Sequence, residues 1–300
     1  MAYHLGRILE ADFGFRAIAV AAGNERADAG IYVYDLQMPL ISQEELVRQA
    51  TDDDVVIVNP SFSDQLIGWR TRGFKISYVQ HFNTFPVLDL KLDHFVAVSD
   101  FVAGYLRAVY EINPRVIPPF INLDKLPPAP PWWERPQAVV LPYRKGMPAI
   151  WNLSYVRLHQ LVTKQAPQIV LANPIGGPLM PQQELLTKIA GVRYLLMLSA
   201  AEGFGLVPLE AMALGTVVIG YDGYGGRHYM RPEENCAVAA YPKIERVSEL
   251  LINAVSHPET SAAMAVKGRE TAARFSYAAF RKAWITEFSE VLSLPLPAAG

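Results

Sequence analysis

Only one cysteine, Cys236, stands among the 300 residues, so no disulfide can form within the chain. That usage suits a reducing compartment. An excess of one charge is also missing: 27 Lys and Arg meet 29 Asp and Glu, a formal net charge of -2. No global field draws such a chain to nucleic acid or to an acidic surface. Long hydrophobic runs are lacking too. The segment from Met1 to Arg7 has no apolar signal core. The most apolar stretch, Tyr194 to Tyr221, is broken by Glu202, Glu210, Gly203, Gly205, Gly215 and Gly220, which excludes a membrane span. The expectation is a cytoplasmic protein, and peripheral contact with the inner face of a membrane is compatible with it. No Gly-x-x-x-x-Gly-Lys-Ser/Thr loop, no Gly-x-Gly-x-x-Gly fingerprint and no Cys/His cluster of zinc spacing is found. P-loop nucleotidases, dinucleotide enzymes and structural zinc are thereby disfavoured.

Hydrophobic residues, at 51%, are plentiful, and charged residues, at 19%, are sparse. A sizeable core follows, and disorder does not. The length is a prior for two domains at roughly 150 residues each. Proline marks the division. Of 23 prolines, eight fall between Pro114 and Pro136. Such a tract is neither continuous helix nor central strand, but a semi-rigid connector.

Short Val/Ile-rich runs alternate with helical spacing on both sides of that tract. Before it, the strands are Ala17–Ala21, Val55–Val58, Lys75–Val79, His94–Val98 and Arg115–Ile117. Leu5, Ile8 and Leu9 share one helix face, and Phe101, Tyr105, Leu106 and Val109 another. After it come strands at Ala138–Leu141, Ile169–Ala172, Tyr194–Leu198, Thr216–Ile219 and Ala237–Ala239. Helices are predicted over Asn152–Gln165, Gln182–Ala190 and Leu206–Leu214, with Gly215 as the stop, and three more from Ile244 to Leu292. Apolar strands separated by helices imply parallel sheets covered on both faces. The fold expected is α/β, with two doubly wound Rossmann-like domains facing a cleft. Its parts are an N-terminal domain over 1–122, a proline-rich linker over 123–136, a second domain over 137–275, and a C-terminal helix and tail over 276–300. The N-terminal domain opens on a helix, without the usual first strand and its glycine-rich turn, and reads as trimmed.

The segment Glu202-Gly203-Phe204-Gly205-Leu206-Val207-Pro208-Leu209-Glu210-Ala211-Met212-Ala213-Leu214-Gly215 carries the chemistry. Gly203 and Gly205 permit close backbone approach. Pro208 suits a first helical turn, where its missing N–H costs nothing. Free amides at that helix start, with the dipole, suit a diphosphate. Glu210 can accept two hydrogen bonds from a ribose diol, and Glu202 lies on the loop where a sugar would sit. The plainer reading is two unrelated surface acids flanking a buried helix, but the glycines and Pro208 agree with the sharper one.

This segment resembles the Glu-x7-Glu signature of retaining GT-B glycosyltransferases of family 4 (glycosyl transferases group 1). Val116-Ile117-Pro118-Pro119-Phe120-Ile121-Asn122, Phe95–Phe101 and Asp222-Gly223-Tyr224-Gly225-Gly226 are similar to further motifs of that family, in order. The resemblance implies that Glu202 contacts the donor sugar and Glu210 the ribose hydroxyls. It implies a phosphate-binding Arg and Lys after the first strand of the second domain, where Tyr143-Arg144-Lys145-Gly146 stands. Here Arg144 and Lys145 are adjacent, whereas the family separates them. Arg157 is an alternative. It also implies a His reaching the sugar from the first domain, for which His81 is the candidate; packing against Phe82 or Phe85 is the alternative.

Donor binding is therefore assigned to Arg144, Lys145, Gly203, Phe204, Gly205, Leu206 and Glu210, and catalysis to Glu202 and His81, with no metal site and no cofactor. Thr51-Asp52-Asp53-Asp54 imitates an Asp-x-Asp metal motif but precedes a strand, the wrong end for a ligand. The implied function is metal-independent transfer of a sugar from a nucleotide-diphosphate sugar to an acceptor hydroxyl, with retention, in glycan or polysaccharide assembly. Glycan, lipid-linked or small-molecule acceptors all fit. The alternative is a non-catalytic nucleotide-sugar-binding relative or assembly subunit. An epimerase or phosphorylase of the same fold is a third, weaker reading.

Overall fold

The computed structural model describes residues 1–21, 38–59, 65–82, 87–140, 149–171 and 180–297. Side chains of 149–152 are outside that description. The chain divides into two compact units. One comprises 1–30, 34–119 and 277–300, and the other 31–33 and 120–276.

The first unit begins with α1 (Ala2–Phe13), which buries Leu5, Ile8 and Leu9 as their spacing predicts and stops at left-handed Gly14. Two short strands, β1 (Ala19–Val20) and β2 (Leu40–Ile41), pair in parallel apart from the main sheet. Helix α2 (Gln43–Gln49) is nucleated by a capping box between Ser42 and Glu45. Then follow β3 (Val55–Val58), the one-turn α3 (Ile67–Arg70), β4 (Phe74–Val79), β5 (His94–Ala97), α4 (Asp100–Tyr110) and β6 (Arg115–Val116). The four strands β3-β4-β5-β6 lie side by side in that order, all parallel. Buried Ser99 caps α4 by accepting from the Val102 amide.

The buried face of α4 differs from the one expected. Val102, Ala103 and Leu106 face the sheet, while Val109 is exposed. A small alanine lets the helix approach the strands. The larger Phe101 and Tyr105 rings instead meet Phe82, at centroid distances of 5.0 and 5.7 Å.

The second unit contains β7 (Val139–Val140), α5 (Ala149–Gln165), α6 (Gln182–Ala190), β8 (Tyr194–Met197), α7 (Leu206–Ala213), β9 (Val217–Tyr221), β10 (Ala237–Ala239), α8 (Ile244–Ser256) and α9 (Pro258–Ala272). The strand expected at Ile169–Ala172 reduces to one parallel bridge between Leu171 and Val139. Ile169 and Val170 are not in a strand, and Ala172 and the residues that follow β7 lie outside the described residues. Counting that bridge, the strands run Leu171-β7-β8-β9-β10. In chain order this is 2-1-3-4-5, whose switch point lies between β7 and β8. Every residue of β8 and β9 is buried, as continuous apolar runs covered on both faces should be.

The last helix, α10 (Tyr277–Val291), packs within the first unit. Trp284 sets its ring edge-on to Tyr78 of β4 at 5.1 Å, and Phe288 meets Phe13 of α1 at 6.3 Å. Glu287 is 1% exposed and binds His94 Nε2 at 2.6 Å and Arg115 Nη1 at 2.9 Å. Among the described residues no helix is long and apolar enough to cross a membrane.

Candidate functional site

At the C-terminal end of β8 the chain must turn back into α7. Gly205 makes that turn in the left-handed region, at φ 87°, and serves as the N-cap of α7. The helix closes at Gly215, also left-handed at φ 70°, in the position its sequence predicts. Between them α7 is almost wholly apolar, with Pro208, Leu209, Glu210, Ala211 and Met212 all buried. Glu210 is its one ionisable side chain, at 6% exposure. A carboxylate buried that deeply needs hydrogen-bond donors. The side-chain amide of Gln182, at the start of α6, supplies one at 2.5 Å from Glu210 Oε1. Sequence reasoning passes over Gln182.

Glu202 sits before the turn, half-buried, and its backbone is zipped to the loop that follows β9. Its N–H donates to the Gly223 carbonyl at 2.7 Å, and its carbonyl accepts from the Gly225 amide at 3.2 Å. Gly225 allows this closeness: a Cβ there would stand 2.5 Å from the Glu202 carbonyl oxygen and nearer still to the Gly203 carbonyl. Tyr224 pays for the tight loop with a positive φ of 61°. The Asp222 carboxylate braces it, accepting from the Tyr224 amide at 2.9 Å and from Arg227 Nε at 2.7 Å.

Beneath the turn, Tyr229 donates its hydroxyl to the Gly205 carbonyl at 2.6 Å. Burial, then the nearby Cys236, Glu202 and Glu210, push its pKa well above the ordinary phenol value, so it stays a neutral donor. Phe204 is 4% exposed. Its ring packs on Tyr229, Phe275 and His228 at 5.1, 5.5 and 5.7 Å. Gly203, Phe204 and Gly205 are all buried, and the Phe204 ring belongs to the core.

The structure brings Gly203, Phe204, Gly205 and Leu206 together between Glu202 and Glu210. Arg144 and Lys145 lie outside the described residues. Arg157, the alternative to them, is an exposed residue of α5 paired with Glu245 of α8 at 3.3 Å. His81 belongs to the first unit, just past the end of β4, and stacks on Phe82 with centroids 5.0 Å apart and ring planes at 16°. The Thr51–Asp54 run is a solvated turn. Asp54 accepts from the Thr51 amide at 2.7 Å, and Asp52 pairs with Arg72. A cavity of about 370 Å³ lies under α8 and α9, lined by residues such as Arg246, Asn253 and His257. None of the described candidate residues lines it.

The family model described as glycosyl transferases group 1 matches residues 180–271. That span contains Gln182, both acids, both loops and Tyr229. Anabaena HepE, solved with UDP, is similar in structure: TM-score 0.71, 14% identity, covering 98% of this chain and 96% of HepE. Sucrose-phosphate synthase from Thermosynechococcus elongatus gives a TM-score of 0.69 at 16% identity, covering 97% and 92% of the two chains. S. aureus TarM, solved with fondaparinux, α-GlcNAc-glycerol and UDP, gives 0.65 at 15% identity, covering 82% of this chain and 57% of TarM. No curated protein sequence matches the chain. The fold is that of the GT-B glycosyltransferases.

Proposed function

We propose that the chain transfers a glycosyl group from a nucleotide-diphosphate sugar to an acceptor hydroxyl, with retention at the anomeric carbon and without a divalent metal. One observation carries this reading: two acids flank a glycine turn that opens the α7 N-terminus, at the end of the sheet where its strand order switches. In support, residues 180–271 match the glycosyl transferases group 1 model. HepE has also been solved with UDP and glucose and with UDP-glucose.

Glu210 accepts the ribose hydroxyls. The first-turn amides of α7 and its dipole receive the diphosphate, where charge develops as the sugar leaves. Arg144 and Lys145 add cationic charge there. Glu202 orients the sugar, and His81 is assigned to the same task. The bond from the anomeric carbon to the phosphate oxygen breaks, and a bond to the acceptor oxygen forms on the same face. The departing diphosphate takes the acceptor proton, so no protein nucleophile is required. Acceptors in glycan or polysaccharide assembly, lipid-linked ones included, complete the reading, together with a cytoplasmic location.

Variants at the two acids test it. Glu210→Ala is expected to weaken UDP or GDP binding by about 1.5–3 kcal/mol, the worth of hydrogen bonds to a charged group, or roughly ten- to a hundredfold. Glu202→Ala is expected to cut donor turnover more than donor binding, and EDTA to leave turnover unchanged. Wild-type binding and turnover in both variants would show that the site is elsewhere.

A further inference from the structure

The Gln182–Glu210 contact crosses 28 residues of sequence and joins the first residue of α6 to the buried acid of α7. We infer that Gln182 is a positioning residue which fixes the Glu210 carboxylate for a ribose diol and so sets how strongly the site prefers ribonucleotides over their deoxy analogues. This rests on the proposed role of Glu210.

The chemistry of the pair supports it. Only the amide nitrogen of Gln182 can donate, so that end must face the carboxylate. Gln182 is half-buried while Glu210 is 6% exposed. The amide therefore covers the acid and fixes its plane. Being neutral, it leaves the negative charge undiminished, whereas an Arg or Lys in that place would offset it. A fixed plane matters because a vicinal diol presents two hydroxyls at a set spacing, and a carboxylate receives both well in a limited range of orientations.

Calorimetry on the full chain tests the inference. The probes are UDP and GDP, each against its 2′,3′-dideoxy analogue, and the readout is the ratio of the two affinities. Wild type is expected to prefer the ribonucleotide, and Glu210→Ala to lose that preference. Gln182→Met preserves shape but cannot donate; its preference should fall by about three- to tenfold, part of the worth of a hydrogen bond to a charged group. Gln182→Lys still donates, though its charge offsets part of the acid's, and should lose less of the ratio than Gln182→Met, since a general gain in diphosphate affinity cancels in it. A full wild-type ratio in Gln182→Met, with loss in Glu210→Ala, overturns the inference and spares the proposed function. Equal losses in Gln182→Met and Gln182→Lys overturn it as well, because shape rather than donation would then be at work. Absence of any ribose preference in the wild type removes both this inference and the ribose role of Glu210.

Discussion

Replacing Gly225 by alanine is the sharpest mechanical test of how Glu202 is held. Gly225 has no positive φ, so the backbone itself tolerates a side chain. Space does not. The added Cβ would stand 2.5 Å from the Glu202 carbonyl oxygen, where ordinary contacts begin at 3.4 Å. The Gly203 carbonyl oxygen is nearer still, at 2.3 Å, so the two loops must separate by about 1.1 Å. That stretches the 3.2 Å bond from the Gly225 amide to the Glu202 carbonyl beyond hydrogen-bonding range. Overpacking costs about 1–3 kcal/mol and the lost bond about 0.5–1.5. Partial relaxation brings the sum to roughly 2–3 kcal/mol. The melting temperature should fall by roughly 4–12 °C. A displacement near 1 Å at a positioning group costs on the order of a hundredfold in rate. Turnover of any nucleotide-sugar donor that the wild type accepts should fall by that factor. Glu210 sits on α7 with its own brace, so affinity for whichever nucleoside diphosphate the wild type binds, measured by calorimetry, should change only a few-fold. Turnover within a few-fold of wild type, in a protein whose melting point has dropped, would refute the idea that this contact places Glu202.

Gly104, mid-way along α4, is the matched control: no atom lies within 4 Å of its would-be Cβ. Gly104→Ala should stabilise by about 0.5–1 kcal/mol in denaturant titrations. Arg135 is 2% exposed, and burial, then Arg269, pull its pKa down to about 10. Its guanidinium donates to the Pro130 and Leu214 carbonyls at 2.8 Å and to Thr216 Oγ1 at 3.2 Å. Arg135→Met should cost about 2–4 kcal/mol by urea unfolding, and Arg135→Lys should recover little, because one ammonium cannot reach in three directions. Full recovery by lysine would disprove that account.

Much of this architecture can be read from pattern alone. Val55–Val58, Gln182–Ala190 and Ala237–Ala239 form as their apolar runs and flanking breakers predict. The glycine turn and the two acids are legible because all lie within one turn-and-helix segment. What escapes the sequence is whatever depends on a partner far along it. Gln182 meets Glu210 only because α6 packs against α7. Tyr229 reaches the Gly205 carbonyl across 24 residues. The role of Gly225 is an absence of atoms opposite Gly203, which no spacing rule reveals. The buried face of α4 differs from its pattern because aromatic residues outweigh alanine in a hydrophobic pattern, whereas close packing on a sheet rewards the small side chain.

The placement of α10 has a consequence for biosynthesis. The first unit is interrupted: its sheet is encoded before residue 120 and its covering helix after residue 276. A ribosome therefore delivers the whole second unit before it makes Trp284, Glu287 and Phe288. Until then Tyr78 lacks its indole partner, and His94 and Arg115 lack their carboxylate. Domains usually fold in the order of their synthesis. Here the half made first is finished last, and the nascent sheet must wait through the translation of 157 residues, 120–276, for the helix that completes it.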